Sequence, residues 1–547
     1  MIDRILNSKT NNFTAAAFLI AISTFLSASL GLLRDRLLAG TFGAGETLDV
    51  YFAAFRIPDL LHGILVAGGI SAAFLPIFSK EFEKERKRAF LFANNILNFS
   101  LISLFIISIL LCIFTPQILK LIAPGFSKEQ IRESIFLTRI FFLSPIFFSI
   151  SSILSGVLQY FDKFLVYSLA PILYNLGIIS GILFFVPRFG IYGLGYGVIL
   201  GAALHVLIQI PAAKSSGFYY SRILDLKDTS FSSALKLMIP SAIGSGFSQL
   251  NLIIITALSS LLIPGTISIF TFSKNLEYFP ISMIGVPFAI SSFPILSKLW
   301  AINDKEKFWN CFSSVLRKIL FLIIPVSALI FILRAQIVRI VLGTGEWGWL
   351  ETRLTAACLG TFSFSMFALS ALPFFQRSFY AICDTKTPTF LQIFNVLLNI
   401  VFSLVFLILF GSENIISRLV RDFLKLENIE NIKVLAFPLS LGISGIVQTF
   451  ILFSIFVRKV GFSKFGEIID SFKKILILTF ITGQAVWLFL RPLAGAFDLD
   501  TFFGVLFQAG FAFFFGILFY LGGAFVLKMP ELQSLFDSVL KKRKDNF

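Results

Sequence analysis

Arg34, Asp35, Arg36, Asp49, Arg56, Asp59 and His62 stand in the first two apolar stretches of the chain, its densest set of ionisable side chains embedded in hydrophobic sequence. An ionised group in hydrocarbon is expensive. Such residues pair with one another or face water, and they mark routes for charged cargo. Arg56, Asp59 and His62 recur at i, i+3 and i+6, roughly along one face of the second helix. That face is too polar for lipid and is expected to line a water-filled cavity. Arg34 is the leading candidate among them. Arg36 reads equally as a side chain that snorkels from a helix end to the interface.

The corresponding region of the second half offers Lys274, Asn275 and Glu277. Lys274 and Glu277, three residues apart, can neutralise each other, and Lys274 and Asn275 are the candidates there for contact with cargo. Arg139 and Arg377 lie near helix ends, where snorkelling is the default. His205, on an otherwise apolar helix, is expected to be a packing residue with its polar atoms satisfied. Gly193, Gly197 and Gly201 form a small-residue face for close helix approach. Cys112, Cys311, Cys358 and Cys383 show no paired spacing and read as small buried hydrophobes.

Signatures of catalysis are missing. The sequence holds no HExxH, no G-x-S-x-G and no Walker lysine motif, and Gly343-Thr344-Gly345 runs into Glu346-Trp347. Two histidines and scattered thiols make a zinc-type site improbable. The polar connections are too short to fold a catalytic head, so any binding site lies among the helices. The expected class is a transporter, not an enzyme.

The elements that must position these residues are membrane helices. The chain is 57% hydrophobic, with a mean hydropathy of +0.89. About fourteen apolar stretches, each of the length that crosses ~30 Å of hydrocarbon, run from Phe13 to Leu527. The spans are read near 13–33, 48–78, 89–114, 133–158, 164–186, 190–212, 232–258, 265–296, 309–333, 353–380, 388–410, 434–457, 471–490 and 501–527. The first run, which ends near Ser27-Ala28-Ser29, is read as a retained helix and not a signal peptide, because further spans follow. The two longest, 48–78 and 265–296, contain Pro58, Gly68 and Gly69 and Pro280, Gly285 and Pro287, so bent or broken helices are expected there.

A net charge of +16 does not point to nucleic acid. With the N-terminus in the cytoplasm, basic residues concentrate in the inner loops. Examples are Lys80–Arg88, Lys214–Lys236, Lys298–Lys307, Arg458–Lys474 (which includes Lys464) and the tail Lys541–Lys544. Both termini are expected to be cytoplasmic.

The chain also repeats itself. Pro76-Ile77-Phe78-Ser79-Lys80 returns as Pro294-Ile295-Leu296-Ser297-Lys298, and Gln117–Ile122 returns as Gln336–Val341. Asp162-Lys163 before Asn175 returns as Asp384-Thr385-Lys386 before Asn395, again about 220 residues on. Six spans per repeat make the halves parallel, the design in which cargo binds between two rocking lobes. The fold class expected is an all-α polytopic membrane protein with two parallel six-helix lobes plus two C-terminal helices. Its domains are 1–225, 226–465 and 466–547.

Several blocks resemble the MurJ (MviN) lipid II flippases of the multidrug/oligosaccharidyl-lipid/polysaccharide exporter superfamily. They are Gly31-Leu32-Leu33-Arg34-Asp35, Phe42-Gly43-Ala44-Gly45, Asp49, Ala53–Leu61, Ala73-Phe74-Leu75-Pro76, Ala123-Pro124-Gly125-Phe126, Phe379-Tyr380-Ala381 and Asp384–Pro388. The resemblance implies two six-helix lobes and two extra helices that help form a groove for a lipid tail. It implies a cargo, undecaprenyl-pyrophosphate carrying the disaccharide-pentapeptide of peptidoglycan, moved from inner to outer leaflet of the bacterial cytoplasmic membrane. Lipid II in the membrane and the cell-wall synthesis machinery are the partners it suggests. Arg34 matches a cavity arginine of the family and Asp49 an aspartate near it. Arg34, Asp35, Asp49, Arg56, Asp59, His62, Lys274 and Asn275 are the substrate-binding residues expected. No cofactor is implied. With no nucleotide site, the energy source expected is the membrane potential or an ion gradient, and Asp384 and Asn395 are the candidates for a sodium site.

The chain departs from the family at Ala28, His62 and Asn275, where relatives often carry arginine. Arg56, Lys274 and a protonated His62 are expected to compensate. The same departures keep open the export of another polyprenyl-diphosphate-linked oligosaccharide. A small-cation antiporter, an integral-membrane transferase and a scaffold without transport are the more distant alternatives.

Overall fold

The computed structural model describes residues 13–426, 429, 431–461 and 465–535, so Lys464 and the basic tail Lys541–Lys544 lie outside it. In lipid a backbone must satisfy itself, and the described residues do so as helices, with no strand among them. Twelve of these helices are long and apolar enough to cross a bilayer, or thirteen if the bent pair Trp349–Ser363 and Met366–Ala381 is one span. The helix Phe13–Phe42 stands outside that count. The chain is thus a multi-pass membrane protein, and the described residues do not establish the expected number of fourteen.

Two compact units are present. Unit 1 is Met1–Ser268 with Thr344–Trp347; unit 2 is Ile269–Gly343 with Gly348–Phe547. In unit 1, α1 (Phe13–Phe42), α2 (Glu46–Ala54) and α3 (Arg56–Leu61) lead into a π-helical segment, His62–Ile70. Then come α4 (Ser71–Lys84), α5 (Arg86–Ile122), α6 (Lys128–Phe141), α7 (Leu143–Tyr160) and α8 (Phe164–Ser180). A second π-helical turn, Gly181–Phe185, leads to α9 (Val186–Phe189), α10 (Tyr192–Leu207), α11 (Gln209–Ser215) and α12 (Thr229–Ser260).

Unit 2 holds most of α13 (Thr266–Ala301), then α14 (Lys305–Val341), α15 (Trp349–Ser363), α16 (Met366–Ala381) and α17 (Lys386–Leu409). It ends with α18 (Ile415–Leu424), α19 (Ala436–Val460), α20 (Phe465–Ala496) and α21 (Phe502–Val526).

These borders differ from the divisions at 225 and 465 read from the sequence. The reason is packing. α12, expected to open the second lobe, lies along the π-helical segment. Gly68 makes this possible, since a Cβ there would meet Ser245 Oγ at 2.7 Å and the Ser241 carbonyl oxygen at 2.8 Å. α20 and α21 pack on α14 inside unit 2.

The duplication is visible in the helices. α5 and α14 are each 37 residues long and begin 219 positions apart. Each is followed by a helix interrupted midway, α6 to α7 at Phe142 and α15 to α16 at a 52° bend. Each then turns through a left-handed residue, Asp162 (φ 57°) or Cys383 (φ 60°). The sequence did not foresee either interruption. Pro145, lacking an N–H, leaves a carbonyl unpaired at the first. At the second, Ser363 and Ser365 donate their hydroxyls to the carbonyls of Gly360 and Phe362, competing with the helix ladder. In 48–78 the regular α-helix is interrupted at Phe55 and turns π-helical over His62–Ile70, within the single long span Glu46–Lys84. The expectation of a break in 265–296 is not met, because α13 runs as one 36-residue helix through Pro280, Pro287 and Pro294. Prolines survive in membrane helices where neighbours take up the freed carbonyls.

The connection between the repeats is held by its backbone. Asn94 on α5 donates to the Tyr219 carbonyl (3.0 Å) and accepts from the Ser221 amide (2.8 Å). Asn95 exchanges the same pair of bonds with Asp225, at 2.6 and 2.9 Å. Asn98 donates to the carbonyls of Ser221 and Ile223. The side chains of Tyr219, Tyr220, Leu224 and Leu226 are left exposed.

α8 and α10 meet with almost no side chain between them. A Cβ on Gly177 would lie 2.2 Å from Gly201 Cα, and one on Gly197 would lie 2.6 Å from Gly181 Cα. Overpacking of this kind costs about 1–3 kcal/mol or more. Gly201→Val is therefore expected to lower the thermal midpoint in detergent clearly. Gly244→Ala, where nothing lies within 4 Å of the added Cβ, should leave it unchanged or slightly higher. Equal midpoints for the two variants would contradict the close contact.

Candidate functional site

The polar face predicted on the second helix is divided by the structure. Asp59 and His62 line a cavity of about 620 Å³ in unit 1, whereas Arg56 does not. Arg56 is buried, and its Nε donates to Thr256 Oγ1 on α12 at 2.6 Å. The helix breaks at Phe55 and changes to π geometry at His62, so the i, i+3, i+6 alignment of a regular helix does not persist. The other polar groups of the wall come from α7 and α8, with Ser144, Ser151, Ser155, Gln159, Tyr167 and Tyr174 among them, and from His205 on α10, while Val66 and, on α4, Phe74 and Leu75 add apolar surface.

His205 is a packed residue with a satisfied ring nitrogen, as expected, and it also lines the cavity. Its Nδ1 lies 2.8 Å from Ser151 Oγ, Gln209 Nε2 donates to that same oxygen at 2.6 Å, and Ser155 donates to Gln209 Oε1. Serines and a glutamine spaced along α7 carried the signal for this wall, but no charge drew attention to them. Ser144 Oγ, also on the wall, has no hydrogen-bond partner.

Arg34 lies outside the residues lining the cavity. Its Nη2 and Nε contact Asp35 Oδ1 at 2.8 and 3.0 Å, and its Nη1 donates to Asn175 Oδ1 at 3.2 Å. Asn175 is fixed in turn by the Ser27 and Pro171 carbonyls, so the guanidinium plane is held between α1 and α8. Asp35 is buried and serves as the partner of Arg34.

Asp49 is placed elsewhere. Its Oδ2 accepts from the Gly265 amide at 2.8 Å, and its Oδ1 accepts from the amide and hydroxyl of Ser268 at 2.8 and 2.6 Å. The carboxylate caps the N-terminus of α13, where free amides and the helix dipole favour an anion. Its geometry is that of a structural cap. Lys274 and Asn275 are half-buried on α13 in unit 2, near the buried Glu277.

Asp384 and Asn395 do not converge. Roughly 15 Å of helix separates them. Asp384 Oδ2 accepts from Lys459 Nζ at 2.5 Å and from Thr387 Oγ1 at 2.7 Å, and Oδ1 accepts from the Thr387 amide at 3.0 Å. Asn395 Oδ1 is buried without a partner, as are Asn399 Oδ1 and Gln448 Oε1, all neutral oxygens. Among the described residues no group of three or more His, Cys, Asp or Glu side chains is placed to hold a metal. Asp384 is thus engaged by Lys459 and Thr387, and Asn395 lies on a separate stretch of α17.

A second cavity, of about 170 Å³, lies in unit 2. Leu316, Leu320, Phe375, Phe450, Phe453 and Phe472 are among its residues, so α20 forms one side, and its wall is almost wholly apolar.

Unit 1 thus encloses a cavity of mixed polar and apolar lining, and unit 2 an almost wholly apolar one. An inward-facing multidrug resistance MATE family transporter of the MOP superfamily shares the fold, with a TM-score of 0.64 over 79% of this chain and 94% of that one at 14% identity. The family is narrower still. A family model described as lipid II flippase MurJ matches residues 38–508, and the chain belongs to that family. A probable lipid II flippase MurJ of Rickettsia prowazekii is 30% identical over 391 residues, 70% of this chain and 76% of that protein. One of Borreliella burgdorferi is 29% identical over 72% of this chain and 78% of its own length. A solved lipid II flippase MurJ, in an inward closed conformation, superposes with a TM-score of 0.73 at 25% identity, covering 96% of this chain and 99% of that one.

Two outcomes are expected. Asp49→Ala should destabilise the folded protein by about 2–4 kcal/mol through loss of a charged cap, read as a lower thermal midpoint. Cargo affinity of the remaining folded fraction should be unchanged, and a selective loss of affinity would contradict the cap. Partial burial works against ionisation of Asp384, and the bonds from Lys459 and Thr387 outweigh it, holding the carboxyl below the usual carboxylate range. Stabilisation from a depressed carboxyl is present above the ordinary value of about 4 and is lost as pH falls through the folded value. Asp384→Asn should therefore melt lower than the wild type at neutral pH and converge with it in acid; a constant gap at every pH would refute this.

Proposed function

We propose that this protein flips lipid II, the undecaprenyl-diphosphate-linked precursor of peptidoglycan, from the inner to the outer leaflet of the bacterial cytoplasmic membrane. The observation that carries the reading is membership of the MurJ family across residues 38–508. It works by alternating access between its two repeats, with both termini in the cytoplasm, and it performs no covalent chemistry.

The residues suit the cargo. Arg34 stays ionised at any physiological pH and presents a planar fork that matches a diphosphate bidentately. Its bonds to Asp35 and Asn175 orient that fork in advance. The apolar cavity beside α20 has the chemistry of a site for part of a polyprenyl chain. Since Asp384 is committed to Lys459 and Thr387, the membrane potential is the preferred energy source over a sodium gradient.

One observation favours a second reading, the flipping of a different polyprenyl-diphosphate-linked oligosaccharide. No lysine or arginine lines the unit 1 cavity, and Ala28, His62 and Asn275 stand where the family often has arginine.

Complementation tests both. Expression in a bacterium depleted of its own lipid II flippase should restore lipid II exposed on the outer leaflet. Arg34→Ala should abolish that exposure while leaving membrane insertion intact. Failure to restore it despite confirmed insertion favours the second reading, and full activity of Arg34→Ala removes that residue from the mechanism.

A further inference from the structure

The connection between α17 and α19 carries a helix that the membrane spans do not account for. α18 (Ile415–Leu424) has ten residues and is too short to cross a bilayer. Both of its ends are fixed. At the start Asn414 and Ser417 form a reciprocal capping box, the Ser417 amide donating to Asn414 Oδ1 at 2.7 Å and the Asn414 amide to Ser417 Oγ at 3.1 Å. At the other end Lys425 turns left-handed, and its carbonyl accepts from Arg353 Nη2 on α15.

At about 3.6 residues per turn, the side chains of α18 fall into three sectors. Ser417 and Leu424 are buried against the protein, flanked by the half-buried Val420 and Arg421. Arg418 and Asp422, one turn apart, are exposed. Ile415, Ile416, Leu419 and Phe423 are also exposed, by 48% to 76%. These four share one face, an arc of about 100°. A helix resting on a protein in water needs one buried face and one polar face. A third face, apolar and uncovered, calls for a second apolar neighbour.

The surroundings say what that neighbour is. Phe423 stacks on Phe331 of α14 with centroids 5.6 Å apart, and it lies 6.2 Å from Phe364 at the bend between α15 and α16. Both partners stand in helices of membrane-spanning length and hydropathy, so the apolar face of α18 sits beside surface that meets hydrocarbon. α17, the span leading into this connection, ends with Val401, Leu404, Val405 and Ile408 exposed in the same way. Charge plays little part. Residues 411–433 carry four basic side chains (Arg418, Arg421, Lys425 and Lys433) and four acidic ones (Glu413, Asp422, Glu427 and Glu430). A segment without net charge gains little from anionic head groups.

We infer that α18 is an interfacial helix, with Ile415, Ile416, Leu419 and Phe423 inserted among the acyl chains of the surrounding lipid and Arg418 and Asp422 at the head groups. Such helices lie in the membrane plane and sink about 5–10 Å into the boundary between head groups and chains. With both termini in the cytoplasm, as proposed above, the leaflet is the outer one. Seating depends on apolar burial and requires no anionic lipid. It is independent of the identity of the cargo.

The test uses the full chain in phosphatidylcholine nanodiscs, with the environment-sensitive fluorophore bimane attached to Leu419→Cys in one sample and to Arg418→Cys in another. Both positions are exposed, so the label displaces no core residue, and an unchanged thermal midpoint checks the fold. Wild-type protein treated identically supplies the background to subtract, since Cys383 is exposed. Phosphatidylcholine carrying a nitroxide near the ester end of its chain should quench the label at 419 several-fold more than the label at 418. Iodide in the buffer should show the reverse preference. Adding phosphatidylglycerol should leave both patterns unchanged. Iodide quenching as strong at 419 as at 418 would put the apolar face in water, open to a protein partner, and would overturn the inference. Equal nitroxide quenching at the two positions, or seating only with phosphatidylglycerol present, would overturn it too. The flippase reading stands under each of these outcomes.

Discussion

Hydrocarbon offers a polar group no partner, so each such group in a span must find one within the protein or face enclosed water. That constraint arranges unit 1. Arg56 finds Thr256, Arg34 finds Asp35 and Asn175, and Asp49 finds the amides at the start of α13. Only after these pairings are made does a cavity remain, walled by what the pairings leave over. Its polar groups are hydroxyls, imidazoles, one amide and one carboxylate, set among apolar side chains, with no guanidinium among the lining residues.

Much of this was legible in the sequence. Apolar runs gave the membrane helices because a span needs a certain length. The repeat gave two halves because three separate motifs kept one offset, and α5 and α14 keep it in their equal lengths. The glycines of α10 gave a close contact because no other residue permits one. What escaped was decided by partners distant in sequence. Nothing local to Asp49 announces that its carboxylate caps a helix more than two hundred residues on. Arg56, Asp59 and His62 share a face only if the helix is regular, and from His62 on it is π-helical instead, with three glycines packed on α12. His205 looked bland because its neighbours along the chain are apolar, while its neighbours in space are serines and a glutamine.

The two halves of the duplicated chain have kept their scaffold and diverged in what they enclose. A long helix, an interrupted helix and a left-handed turn recur in each. Yet the cavity of the first half is rich in hydroxyls and the one against α20 in the second is nearly free of polar atoms. An amphiphile with a hydrophilic head and a long hydrocarbon chain presents the same contrast. A duplicated scaffold allows each half to specialise, since backbone packing in one places no demand on the lining of the other.

The segment joining the repeats is gripped by Asn94, Asn95 and Asn98 through main-chain amides and carbonyls alone. A grip of this kind is blind to sequence and sensitive to register. Replacing a side chain between Tyr219 and Asp225 by any residue but proline leaves all six bonds available, whereas inserting or deleting one residue misaligns the ladder. Such a connection tolerates a change of identity better than a change of length, the reverse of the usual behaviour of a surface loop.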